Sequence, residues 1–200
     1  VMTPLTGITA LAVGAGDVAT LTKVDGLTSV TLSAGAGAGA DLTLATDGSA
    51  DALTVNLGSD VSQTGSTGTT LDAVDYETIA VNSAGANGNA VTVTASDLTG
   101  LTVTGSKNVT VTVNPDTGVT TLAGLTSVDA SGATGTVNVQ AASADAGVAV
   151  TPGSGALTVN LGDGADTVTG TAVADSITTA KGNDTVTGLG GNDTIDAGAG

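Results

Sequence analysis

The last forty residues repeat with a period of nine. From Leu161 they divide into LGDGADTVT, GTAVADSIT, TAKGNDTVT, GLGGNDTID and a partial AGAG. The sixth place is aspartate in every complete unit, at Asp166, Asp175, Asp184 and Asp193. The eighth place is always valine or isoleucine. A short period kept over four units predicts stacked coils of a solenoid.

This pattern resembles the nonapeptide G-G-x-G-x-D-x-U-x, the calcium-binding repeat of RTX proteins. The resemblance implies a parallel β-roll in which two nonads form one coil, so that turns eighteen residues apart stack on one edge. It also implies one Ca²⁺ between turns 162–166 and 180–184, and a second between turns 171–175 and 189–193. The implied metal-site residues are Gly162, Gly164, Asp166, Asp175, Gly182, Asp184, Gly190, Gly191 and Asp193.

Each place in the nonad has a physical role. Glycine at places two to four lets the backbone reach positive φ and approach an ion closely. The aspartate supplies a hard anionic oxygen, and carbonyls of the turns would complete the six to eight oxygens that Ca²⁺ prefers. Side chains alternate along the strand at places seven to nine, so place eight points inward. The four inward residues are Val168, Ile177, Val186 and Ile195.

The metal is expected to be required for folding. Asp166 and Asp184 should stack about 5 Å apart, where two charges repel by about 3 kcal/mol at an effective dielectric constant near 20. We therefore expect this region to be disordered until a cation binds. The alternative is a flexible tail rich in glycine and aspartate that binds no metal. Unit 170–178 is the weakest, because Thr171, Ala172 and Val173 stand where small turn residues are typical. We expect the edge of the roll with Asp175 to bind calcium poorly or not at all.

Composition also favours a slender all-β fold. Phe, Trp, His and Cys are absent, Tyr76 is the single aromatic residue, and hydrophobic residues make up 40% of the chain. A wide core normally uses aromatic side chains, whereas a thin one is filled by Val, Leu and Thr. We predict a right-handed parallel β-solenoid, irregular and rich in Thr, Ala and Gly over 1–150. It leads into an RTX β-roll at 151–200 that is truncated at its C-terminal end.

Residues 1–150 show short strand-like segments without a fixed period. DALTVNLG and KNVTVTVN alternate polar and apolar residues, and ALTVNLG occurs at both 52–58 and 156–162. In PGSGALTVN, residues 152–160, Leu157 replaces the aspartate, which predicts a non-binding first unit of the roll.

Two segments of residues 1–150 resemble sequence segments of RTX-type surface-layer (S-layer) proteins and large adhesins. They are AVDYETIAVNS at 73–83 and LTSVDASGATGTVNV at 125–139. A β-sandwich is the alternative for 1–150, since short strands with turns suit it too.

The charge excludes several function classes. Nineteen acidic residues against three lysines give a net charge of −16. Nucleic acid and anionic membranes are therefore not expected partners. No apolar run approaches the length of a membrane span.

Without His or Cys the usual general base and thiol nucleophile are missing. The aspartate pairs Asp72 and Asp75, or Asp47 and Asp51, are better explained as strand ends and Asx-turns, so we expect no catalytic site and no enzyme.

The expected function is structural. The resemblance implies an extracellular bacterial S-layer subunit whose solenoid calcium makes rigid and assembles, with copies of itself and cell-surface polysaccharide as partners. An RTX biofilm or cell adhesin is the alternative, and a calcium-dependent folding tail of a type I-secreted enzyme is another. Outward T-x-T pairs in the roll could also bind sugar or ice on a flat face. Because the chain starts at Val1 and stops within a repeat at Gly200, we expect the natural protein to continue in both directions.

Overall fold

A computed structural model describes residues 5–6, 9–13, 18–32, 39–44, 50–58, 70–73, 75–85 and 88–200. Within these ranges every regular element is a β-strand, and there is no helix that could cross a membrane. The strands belong to two sheets whose neighbouring strands all pair in parallel. Successive strands alternate between the two sheets, so that each coil contributes one strand to each sheet.

The strands of the two sheets interleave along the chain. The ten-stranded sheet contains β1 (Leu5–Thr6), β3 (Val18–Asp25), β5 (Gly39–Leu44), β7 (Thr70–Asp72), β9 (Asn89–Thr94), β11 (Val109–Asn114), β13 (Val137–Ala141), β15 (Leu157–Leu161), β17 (Ser176–Thr178) and β19 (Thr194–Asp196). The nine-stranded sheet contains β2 (Ala10–Val13), β4 (Ser29–Leu32), β6 (Ala52–Leu57), β8 (Thr78–Ser83), β10 (Gly100–Gly105), β12 (Ser127–Ala133), β14 (Ala149–Thr151), β16 (Thr167–Thr169) and β18 (Thr185–Thr187).

This topology confirms the all-β parallel solenoid. The β-sandwich alternative for residues 1–150 is wrong for the described strands, because sandwiches are built from antiparallel hairpins and these ladders are parallel. Both sheets continue across residue 150 into the roll. The division at 150/151 and the right-handed sense of winding, which almost all parallel crossovers share, stay predictions.

The coils become regular toward the C-terminal end. Gly100 of β10 pairs with Ser127 of β12, which lies 27 residues further along. From Ala149 onward each step is 18 residues, since Ala149 pairs with Thr167 and Thr167 with Thr185. Two nonads therefore make one coil, as the resemblance to RTX repeats implies.

The core is a thin layer between the two sheets. Strand burial alternates, so that Val91, Val93, Val111 and Val139 are fully enclosed while the residues between them face solvent. Tyr76 is the largest buried side chain, and its hydroxyl donates to the carbonyl of Leu27 at 3.2 Å. Because the hydroxyl has an acceptor, the phenol is buried without an unpaired polar group.

The inward places of the roll follow the same rule. Val168 and Ile177 are each 1% exposed, which confirms that place eight points into the core. Val186 packs partly against the core, and Ile195, on the last strand of the stack, is 46% exposed. The partial unit AGAG, residues 197–200, stacks on the turn eighteen residues earlier in the chain. There Lys181 forms a parallel bridge with Ala199.

Candidate metal centre

The four repeated aspartates lie on two edges of the roll, each immediately before a strand. Asp166 and Asp184 precede β16 and β18 of the nine-stranded sheet and share one edge. Asp175 and Asp193 precede β17 and β19 of the ten-stranded sheet and share the opposite edge. The structure therefore brings together the two pairs that the 18-residue coil predicts.

All four carboxylates make the same bond across the stack. In each, Oδ1 accepts the backbone N–H of the residue eighteen positions earlier. The four bonds run from Val148 to Asp166 at 2.8 Å, Leu157 to Asp175 at 2.8 Å, Asp166 to Asp184 at 2.9 Å and Asp175 to Asp193 at 3.1 Å. Every aspartate thus reaches toward the preceding coil, so the two carboxylates of a pair point along the stack. Leu157 lies in the aspartate position of the preceding coil, as predicted for a non-binding first unit.

Asp166 carries the clearest sign that a cation belongs here. The residue is 1% exposed, and its Oδ2 is buried without a hydrogen-bond partner. The pKa of this carboxyl is raised above its ordinary value. Burial is the main cause, the bond from Val148 lowers the pKa in part, and the nearby charge of Asp184 raises it further. A buried carboxylate oxygen with no donor is costly unless a positive charge accompanies it. Asp166 and Asp184 therefore fit a hard cation such as Ca²⁺, which would remove both the orphaned oxygen and the repulsion.

The glycines of the turns fall into two groups. Gly164, Gly182 and Gly191, all at place four, have φ of 126°, 151° and 121°, which L side chains rarely adopt. Gly162 does not need positive φ, but a Cβ there would overlap the carbonyl oxygen of Ala144. Gly190 also lacks positive φ, and a Cβ there would come no closer than 3.5 Å, to the carbonyl oxygen of Ala172. The expectation of positive φ at places two to four is thus wrong for Gly162 and Gly190.

Place two supplies positive φ in two turns without glycine. Ala180 has φ of 53° and Leu189 has φ of 65°, both in the left-handed region. A side chain in this region costs roughly 1–2 kcal/mol. The sequence pattern did not reveal this strain, because neither residue type signals it.

The repeat pattern did not single out Thr179 or Lys181 near the aspartates, and it marked Thr171 only as an atypical turn residue. Thr179 donates its hydroxyl to Oδ2 of Asp184 at 2.9 Å, and Thr171 makes two bonds to Asp175. Lys181 lies 3.0 Å from Oδ2 of Asp163, its counterpart one coil earlier, in an exposed ion pair. An exposed pair of this kind contributes little to stability. No sequence signal separates Thr179 from the many other threonines in the chain.

The donor set on each edge is small. Across the described residues, no three His, Cys, Asp or Glu side chains group as a metal site would require. Two carboxylates per edge would therefore need backbone carbonyls of the turns to complete a calcium shell, as the resemblance implies.

Of the aspartates considered for catalysis, Asp72 ends β7 and Asp75 lies in the turn that follows, whereas Asp47 lies outside the described residues.

Comparison with known proteins supports the same chemistry. Residues 169–200 match the family model described as RTX calcium-binding nonapeptide repeat (4 copies). The match leaves out the turn of Asp166, although that aspartate makes the same bond across the stack as the others. Neither the curated proteins nor the solved structures gave a match to this chain. Residues 169–200 of this β-solenoid are therefore RTX nonapeptide repeats, and the cation that repeats of this kind bind is Ca²⁺.

Proposed function

We propose that this chain is a structural protein of the bacterial cell surface, an S-layer subunit whose solenoid is made rigid and assembled by calcium. The observation that carries the proposal is that both parallel sheets run from the first strands into the calcium-binding roll. An ion held at the edge of the roll therefore stabilises the end of one continuous stack of coils. A rod stabilised in this way is suited to a structural role.

Calcium would act as a folding ligand. Anything that binds the folded state alone adds stability, about 2.7 kcal/mol per site when the free ion is at one hundred times its Kd. RTX repeats are typical of proteins exported by type I secretion, which supports an extracellular location. Calcium is scarce in the cytosol, so the roll would stay unfolded there and pass through the channel. Outside, the ion would complete the fold.

The composition supports a role other than catalysis. The chain has no His or Cys and carries nineteen acidic residues. Its acidic surface would repel copies of itself unless divalent cations bridge them, so the expected partners are further subunits in a lattice. Cell-surface polysaccharide is the expected anchor. The same charge disfavours nucleic acid and anionic membranes.

An adhesin is the second candidate, and one observation favours it. Thr167 pairs with Thr185 and Thr169 with Thr187, which places two columns of outward threonine hydroxyls on one face of the roll. A flat ladder of hydroxyls suits a sugar surface. The further alternative, a folding tail for a secreted enzyme, needs only the calcium roll and none of the assembly.

Electron microscopy of the 200-residue protein with and without calcium tests the proposal. Two-dimensional sheets that form with calcium and disperse with chelator are the expected result. Asp184→Asn is the matched variant with a weakened metal edge, and it should assemble only at higher calcium. Isolated filaments would indicate the adhesin. Protein that binds calcium, folds and stays monomeric would contradict self-assembly and favour the folding tail.

A further inference from the structure

The turn of Asp175 is built differently from the other three turns of the roll. Gly164, Gly182 and Gly191 hold place four with positive φ, whereas place four of turn 170–175 is Val173. Among the described non-glycine residues only Ala180 and Leu189 have positive φ, so Val173 does not adopt that conformation. The backbone of this turn therefore follows another path around its carboxylate.

Thr171 holds that path in place. Its backbone N–H donates to Oδ2 of Asp175 at 2.6 Å, and its hydroxyl donates to Oδ1 at 2.9 Å. The same hydroxyl oxygen accepts the backbone N–H of Val173 at 3.2 Å. Thr171 and Asp175 are each only 4% exposed. One threonine thus ties the carboxylate, its own backbone and place four into a closed turn, in which Thr171 and Asp175 are buried and Val173 is 46% exposed.

These bonds leave the Asp175 carboxylate satisfied without a metal. Together with the N–H of Leu157, three donors reach its two oxygens. On the opposite edge, Asp184 accepts two donors, from Asp166 and Thr179, but Oδ2 of Asp166 has no donor at all. Because hydrogen bonds and an ion compete for the same lone pairs, Ca²⁺ at Asp175 would have to displace bonds that Asp166 does not have.

We propose that Thr171 closes turn 170–175 in place of a calcium ion, so that the edge with Asp166 and Asp184 takes the ion and the edge with Asp175 and Asp193 does not. This inference rests on calcium binding by the repeats and names which edge performs it. The roll would then have one edge that requires calcium and one edge that is held by a threonine.

A gain of metal binding tests the proposal. The double variant Thr171→Gly/Val173→Gly changes GTAVAD into GGAGAD, which removes the hydroxyl and restores glycine at places two and four. We expect isothermal titration calorimetry on the full 200-residue chain to show one more bound ion per chain in this variant than in the unaltered protein.

The single variant Ala172→Gly is the matched control, since it adds a glycine to the same turn but keeps Thr171. It should leave the number of bound ions unchanged. An unaltered protein that already holds an ion between Asp175 and Asp193, or a double variant with an unchanged ion count, would overturn the proposal. Absence of calcium from both edges of the unaltered protein would instead overturn calcium binding itself, so the two failures are distinguishable.

Discussion

The backbone N–H of Asp166 donates to Oδ1 of Asp184, one coil further along the chain, at 2.9 Å. The bond orients the Asp184 carboxylate toward the coil that contains Asp166. It also brings two like charges close together, and the charge of Asp184 helps to raise the pKa of the buried Asp166 carboxyl. The same contact therefore sets the register of the coils and creates the need for a cation.

Asp184→Asn should separate these two effects. Asparagine keeps the Oδ1 acceptor for Asp166 but removes the charge, so calcium affinity should fall by more than about tenfold, or 1.4 kcal/mol. The free energy of unfolding without calcium should not fall, since repulsion with Asp166 is relieved. Calorimetric titration and urea denaturation in chelator measure both quantities. Asp97→Asn, an exposed change outside the roll, is the control. Unchanged calcium affinity in Asp184→Asn would contradict the assignment of this edge.

Ala180→Gly should stabilise the roll. Ala180 has φ of 53°, a conformation that glycine adopts without the steric cost of a Cβ. We expect the free energy of unfolding at fixed calcium to rise by about 1 kcal/mol. Ala174→Gly is the matched control, because Ala174 does not have positive φ and glycine there should cost about 0.5–1 kcal/mol. Effects of the same sign in both variants would show that the strain at Ala180 is not felt.

Two glycine-to-alanine changes should differ sharply. Gly182 has φ of 151°, and a Cβ there would overlap the carbonyl oxygen of Gly164 in the coil before it. Gly182→Ala should therefore lower stability by at least about 2 kcal/mol. Gly190→Ala should change it by no more than about 0.5 kcal/mol, since the nearest atom would be 3.5 Å away. Thermal unfolding in saturating calcium compares them, and similar melting temperatures would refute the stacking of turns 164 and 182.

Alkaline pH should weaken the fold through Tyr76. Burial, with the charges of Asp51 and Asp75, raises the pKa of Tyr76 to about 12. The unfolded value is about 10, so between these values the folded state binds more protons and stability falls as pH rises. The contribution is fully present below pH 10 and its loss amounts to about 2–3 kcal/mol once Tyr76 ionises.

The single tyrosine makes this loss easy to follow. Absorbance of the tyrosinate should appear only as the protein unfolds. Tyr76→Phe should be about 1 kcal/mol less stable at neutral pH, because the bond to Leu27 is lost, but should show a shallower decline above pH 10. All other residues are the same in both proteins, so their effects cancel in the comparison. Equal alkaline slopes would contradict the burial of Tyr76.

The regular part of this fold could be predicted because the sequence repeats its own geometry. Asp166, Asp175, Asp184 and Asp193 recur every nine residues, and a strand alternation of two fixes which neighbours point inward. The 18-residue coil and the pairing of Asp166 with Asp184 are implied by the resemblance to RTX repeats, in which two nonads form one coil. The first coils could be predicted only as short strands, because steps such as Gly100 to Ser127 depend on loop lengths that no period records.

What sequence could not supply is the chemistry of individual turns. Thr171 signals only that unit 170–178 is atypical, while the bonds to Asp175 that replace an ion depend on backbone placement. The strain at Ala180 and Leu189 could not be predicted either, because neither alanine nor leucine favours positive φ. A turn that binds an ion and a turn in which hydrogen bonds take the place of the ion have similar sequences. They are distinguished only by the donors around each carboxylate.

Crystals of the 200-residue protein grown with calcium allow the most direct measurement, the anomalous scattering of the ion. An anomalous peak between the carboxylates of Asp166 and Asp184 is the predicted result. Folded coils with no peak between these two residues at saturating calcium would contradict the claim that the repeated aspartates hold the roll together through a divalent cation.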